Sequence, residues 1–178
     1  MSSIVSRWRL VATILVGVVL ALLAADRFLP SLLARELPRA TRVLVVKSER
    51  QLRLYSGDEE IAHYSVSLGA SPIGHKAREG DERTPEGQYV LDWRNDRSRY
   101  YRSIHVSYPD ATDRALAEAA GVSPGGAIMI HGLPNGLGWL GSLLARWDWT
   151  DGCIAVSNTQ MEEVWRAVPN GTPIEIRP

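Results

Sequence analysis

Two stretches decide how this chain is read: Gly126-Ala127-Ile128-Met129-Ile130-His131-Gly132 and Thr150-Asp151-Gly152-Cys153-Ile154-Ala155-Val156. Ala127 to Ile130 reads as a buried strand leading into His131, and Cys153 falls where a loop meets the start of another buried strand. A nucleophilic thiol needs a neighbouring base to form thiolate and to protonate a leaving amine, and imidazole suits both tasks near neutral pH. A strand-end histidine and a cysteine at a loop-to-strand junction can meet on one sheet, where an imidazolium would favour the thiolate. Gly152 lets the backbone beside the thiol approach a carbonyl, so that the N–H of Cys153 or its neighbour faces an oxyanion; Gly132 is the corresponding site-shaping glycine beside the histidine. The alternative is that Cys153 is a buried thiol acting as a small hydrophobe.

Outward from these stretches the pattern is mostly β. Val43 to Val46 is a short apolar run, Leu52 and Leu54 alternate with Arg53 and Tyr55 after a turn at Ser48-Glu49-Arg50, and Tyr64, Val66 and Leu68 alternate with polar residues. Residues 69–87 carry four Gly and two Pro and read as a long loop. Tyr89–Leu91, Ile104–Val106 and Ile174–Ile176 supply further strands. Two short helices are expected. One lies between Pro109 and Gly121; the other opens with Ser157 and Gln160 at capping-box spacing and carries an apolar face of Met161, Val164, Trp165 and Val168. The expected fold class is a mostly β domain, sandwich-like or barrel-like, over residues 41–178.

The first 28 residues read as an address. Arg7, Trp8 and Arg9 precede an uncharged run from Leu10 to Ala25, closed by Asp26 and Arg27. The pattern fits a signal peptide, with Leu23 in the place where cleavage prefers a small residue, or an uncleaved anchor in the inner membrane through residues 10–25, its basic end cytoplasmic. Residues 29–40 read as a linker. Either export reading places the domain on the periplasmic side.

Composition narrows the chemistry. The 178 residues hold 20 basic and 20 acidic side chains, which argues against a basic nucleic-acid surface. One cysteine excludes an internal disulfide and a Cys-rich zinc site, and no His/Asp spacing marks a metal. No cofactor is expected.

The residues resemble a known family. Gly80-Asp81-Glu82-Arg83-Thr84-Pro85-Glu86-Gly87-Gln88-Tyr89 is similar to the G-D-x-x-T-P-x-G-x-Y signature of L,D-transpeptidase catalytic domains (the YkuD-type fold). The strand ending at His131-Gly132 is similar to that family's histidine strand, and Thr150-Asp151-Gly152-Cys153 resembles the nucleophile motif of its exported branch. The motifs stand in the family's order, histidine before cysteine, and the resemblance covers residues 42–177. It implies Cys153 as nucleophile and His131 as proton donor and acceptor in acyl transfer on peptidoglycan stem peptides. Asp151 stands where much of the family has His or Lys, and Ala155 where Arg or Asn is widespread. These departures bear on the substrate and acceptor rather than on the thiol and base.

Trp139, Trp147 and Trp149 fall between His131 and Cys153, either as an aromatic wall over the cleft or as a local cluster pinning the loop. Arg83 and Arg146 offer bidentate carboxylate binding or are solvated surface residues. His105 is a mid-strand residue that supports the site or simply packs. Three functions are compatible with the sequence: a transpeptidase in wall biogenesis or remodelling, a hydrolase using the same Cys/His site, and a non-catalytic wall-binding module. The oligomeric state is left open by the sequence.

Overall fold

The computed structural model describes residues 2–145 and 147–178; Met1 and Arg146 lie outside the described residues. Eight strands form one sheet: β1 (Arg42–Val46), β2 (Gln51–Ser56), β3 (Glu59–Ser65), β4 (Gly87–Asn95), β5 (Ser103–Val106), β6 (Met129–His131), β7 (Ile154–Ala155) and β8 (Thr172–Arg177). Their order is β3-β2-β1-β8-β4-β5-β6-β7. Alternation in the sequence translates directly into a buried face: Val43, Val45, Leu52, Leu54, Leu91, Ile104, Ile130, Ile154, Ile174 and Ile176 are all in the core. Each such side chain contributes about 1.5–3 kcal/mol on burial.

The barrel-like character comes from how the sheet ends meet. The chain leaving β3 continues to Ser67, whose N–H donates to the Ala155 carbonyl (2.9 Å) while the Ala155 N–H donates back (2.8 Å). The third strand expected over Tyr64–Leu68 is therefore regular only to Ser65. Beyond that it becomes the stave that closes on β7. The short β7 is thus held on both sides, by Ser67 and by its parallel pairing to β6.

Four α-helices accompany the sheet: α1 (Ser2–Leu33), α2 (Ala111–Ala119), the four-residue α3 (Gly141–Leu144) and α4 (Asn158–Ala167). The two expected domain helices are α2 and α4. At α4 both capping-box bonds form between Ser157 and Gln160, and Met161, Val164 and Val168 face the core. The third, α3, comes after a 3₁₀ turn at Gly138–Leu140 inside the Gly- and Trp-rich stretch read as loop.

The N-terminal helix is exposed along its apolar length, and Arg7–Leu33 is long and apolar enough to cross a membrane. It runs through Pro30 to Leu33, into the stretch expected as a linker. The chain beyond Leu33 is fastened to α4 rather than free. Arg35 makes a bidentate contact with the buried Glu163 (3.0 and 2.8 Å), and the Ala40 N–H donates to the Ala167 carbonyl (2.8 Å).

Candidate active site

His131 ends β6 and Cys153 immediately precedes β7. The parallel register sets His131 opposite Ala155. Cys153 lies two residues before Ala155 and so shares its face. The strand end that carries His131 and the entry to β7 that carries Cys153 are thus neighbours in the sheet. Ile130 and Ile154, each adjacent in sequence to one of the two, point the other way and are buried in the core.

The imidazole is 2% exposed. Tyr100 lies tilted against it at 4.1 Å between ring centroids and Trp149 meets it edge-on at 5.8 Å. Its Nδ1 lies 2.6 Å from the Gly132 carbonyl. A carbonyl oxygen only accepts, so Nδ1 carries the proton and Nε2 keeps a lone pair. Burial drives the His131 pKa down to about 4, against the smaller opposing pull of the Gly132 carbonyl. Burial likewise pushes the Cys153 thiol up, and the Asp151 carboxylate adds to this, while the Met129 backbone N–H and the Lys76 ammonium oppose it. Burial thus favours the neutral form of both the imidazole and the thiol. The imidazolium expected beside the thiol is disfavoured, because burial penalises the charged form.

The nucleophile motif is braced from several directions. Thr150 Oγ1 donates to the Cys153 carbonyl (2.7 Å) and accepts from the Gly152 N–H (3.2 Å). Gly152 has φ +119°, and a Cβ there would sit 2.5 Å from the Arg83 carbonyl oxygen. Only glycine fits this conformation and this approach. The G-D-x-x-T-P loop is what presses on it. Asp81 holds that loop by accepting from the N–H groups of Ala77, Arg78 and Arg83 and pairing with the buried Lys76 (2.8 Å). Although burial pushes the Asp81 carboxyl up, Lys76 and those N–H groups hold it down to about 2.

The remaining expected site residues separate. Both glycine N–H groups are already engaged, Gly152 with Thr150 and Gly132 with the Arg102 carbonyl (3.1 Å). Gly132 also meets the histidine through its carbonyl. Of the three tryptophans only Trp149 reaches the histidine. Its Nε1 is buried without a hydrogen-bond partner among the described residues. Trp139 and Trp147 are 64% and 59% exposed, so a continuous aromatic wall is not formed. Arg83 approaches the site through its main chain while its exposed guanidinium reaches the His75 carbonyl (3.4 Å). Arg146 lies outside the described residues. His105 shares the face of His131 and Cys153 through its register with Met129, but its ring is bonded to Asp92 (2.7 Å) and stacked on Trp93. Sequence reasoning alone misses Tyr100 and Thr150. Thr150 stands inside the nucleophile motif, whereas nothing in the local pattern marks Tyr100.

A mostly β sheet closing on a Cys/His pair, with a G-D-x-x-T-P loop against the nucleophile turn, defines an L,D-transpeptidase-type domain. The family model for the L,D-transpeptidase catalytic domain (YkuD) matches residues 40–176, and the chain belongs to that family. It is 30% identical over 133 residues to a protein described as a putative L,D-transpeptidase, YafK, of Escherichia coli K12, covering 71% of this chain and 46% of the relative. Among solved structures it is similar to the helical cell shape determining protein Pgp2 of Campylobacter jejuni (27% identity, TM-score 0.59, covering 78% of this chain and 48% of that one). Bd1075 of Bdellovibrio bacteriovorus shares the fold (24% identity, TM-score 0.55, 79% and 48% coverage). The chain spans about half the length of these relatives.

Proposed function

We propose that this protein is an exported acyltransferase acting on peptidoglycan stem peptides, with Cys153 as nucleophile and His131 as base and acid. The observation that carries the reading is the His131 tautomer: Nδ1–H is committed to the Gly132 carbonyl, which leaves Nε2 with the lone pair a base needs, on the strand beside the one that Cys153 leads into. The thiol attacks the carbonyl carbon of the third stem residue, a diamino acid followed by D-Ala, as its proton passes to Nε2. The C–N bond then breaks, D-Ala departs with the proton returned by His131, and a thioester remains. An amine from a second stem attacks the thioester, losing its proton to His131, and the thiol is restored. With the Gly152 N–H bonded to Thr150, the N–H of Cys153 is the motif's donor for the oxyanion. Trp149 Nε1 supplies a further donor beside the histidine. The apolar N-terminal helix supports export, with residues 41–178 on the periplasmic side.

One observation favours hydrolysis on the same site as a second reading. Trp139 and Trp147 stand exposed, and on this reading water competes with the amine for the thioester. Mass spectrometry of tetrapeptide muropeptides incubated with the full-length protein separates the two. Crosslinked dimers identify the transpeptidase, shortened stems identify the hydrolase, and unchanged muropeptides refute both.

A further inference from the structure

The uncharged run of α1 ends at Asp26, and this carboxylate is half-buried against the catalytic domain. Asp26 Oδ2 accepts from the Gly136 N–H (2.7 Å), Oδ1 from the Gly138 N–H (2.7 Å), and Oδ1 also from Asn158 Nδ2 (3.2 Å). Asn158 in turn uses Oδ1 to accept from the Leu133 N–H (2.8 Å). One carboxylate on the N-terminal helix therefore fixes both ends of the segment that continues from His131 and Gly132, the Leu133 end through Asn158 and the 136–138 turn directly. The same segment carries the Gly132 carbonyl that sets the His131 tautomer. The fit is close: a Cβ at Gly138 would lie 2.0 Å from Asp26 Oδ1. Such a site is specific to an acceptor of two N–H groups and an amide, because an ionised carboxylate is the side chain with enough lone pairs and no proton to present.

We propose that α1 is a retained working part of the enzyme, and that Asp26 is a positioning residue for the His131-bearing loop. This rests on the reading of His131 as the base. It goes beyond that reading in making the N-terminal helix, otherwise an export address, part of the catalytic apparatus. Removal of residues 1–25 at the Ala24–Ala25 pair would take away the helix that presents the carboxylate, so the mature protein keeps them.

The test uses full-length protein extracted from membranes in detergent and acylated with a carbapenem, with intact mass as the readout. The extracted wild type should have the mass of an uncleaved chain. Asp26→Ala should fold but acylate roughly 10- to 100-fold more slowly, the penalty of a misplaced base, while the pH dependence of Cys153 alkylation by iodoacetamide stays as in wild type. Asp26→Asn, which keeps one acceptor oxygen, should recover part of the rate. Gly138→Ala should also be slow, because its Cβ would strike both Asp26 Oδ1 (2.0 Å) and Asn158 Nδ2 (2.5 Å). A wild-type rate for Asp26→Ala, or a fully active mature chain beginning at Asp26, would overturn the proposal. His131→Gln keeps the two failures apart. If it is inactive while Asp26→Ala is not, only the positioning role falls; if it is active, the base assignment falls first.

Discussion

Replacing His131 with Gln tests both the chemistry and the electrostatics of the site. The imidazole titrates at about 4 in the fold and near 6.5 in an unfolded chain. Between those values the unfolded state binds the proton and the native state does not, so native stability rises with pH through this window. Below pH 4 both states are protonated, and the fold bears a penalty of about 3 kcal/mol relative to neutral pH. Wild-type protein should thus lose about that much stability between pH 6.5 and 4 beyond whatever its carboxylates contribute. Gln titrates nowhere in the range, so the variant should lack this component. Urea unfolding of both full-length proteins at pH steps from 7.5 to 4, monitored by tryptophan fluorescence, gives the difference directly. Turnover per folded molecule in the variant should drop roughly 10²–10⁴-fold, the span of positioned acid–base catalysis. The Cys153 alkylation midpoint should hardly move, because the lost neighbour is uncharged at neutral pH. A stability difference independent of pH would refute the buried neutral imidazole. A difference that grows as pH rises, with a raised alkylation midpoint, would instead reveal an imidazolium–thiolate pair.

Three other expectations are independent of that experiment. A carbapenem should add one drug mass to the protein, and Cys153→Ala should remove the adduct; survival of the adduct would take the thiol out of the acylation step. Gly152→Ala forces a side chain into φ +119° and onto the Arg83 carbonyl, and should cost about 1–3 kcal/mol of stability in a thermal melt together with most of the activity. A reporter fused after Arg39 should be active only on the periplasmic side, and cytoplasmic activity would contradict the export reading.

How far the sequence is legible depends on the range of the forces involved. Local patterns carry far: the Ser157–Gln160 box and the apolar face behind it are written within a dozen residues, and the helix forms there. The strand runs before His131 and after Cys153 need only alternation and burial. The identity of the tryptophan that meets the histidine is not local, since Trp139, Trp147 and Trp149 look alike in sequence and are sorted only by the 3₁₀ turn and α3 between them. Tyr100 on the imidazole is likewise the product of a long-range approach, its backbone bridged to Pro134. The neutral state of the pair is also out of reach of the sequence, because it depends on how much water the assembled walls exclude. The end of the helix near Leu33, inside the stretch expected as a linker, is likewise not marked by the charges at Asp26 and Arg27, since the helix continues past them and the Pro30 carbonyl still accepts from the Ala34 N–H (2.9 Å).

The fastening of residues 34–41 to α4 has a mechanical meaning. A slack leash of eight residues would allow about 26 Å of travel and let the domain tumble over a wide shell of the wall. Arg35 gripping Glu163 and Ala40 bonded to Ala167 leave no such slack. Under the proposed anchoring of α1 in the bilayer, the domain would stand on a bracket, held at one height and one orientation, and its substrate would have to be brought down to it.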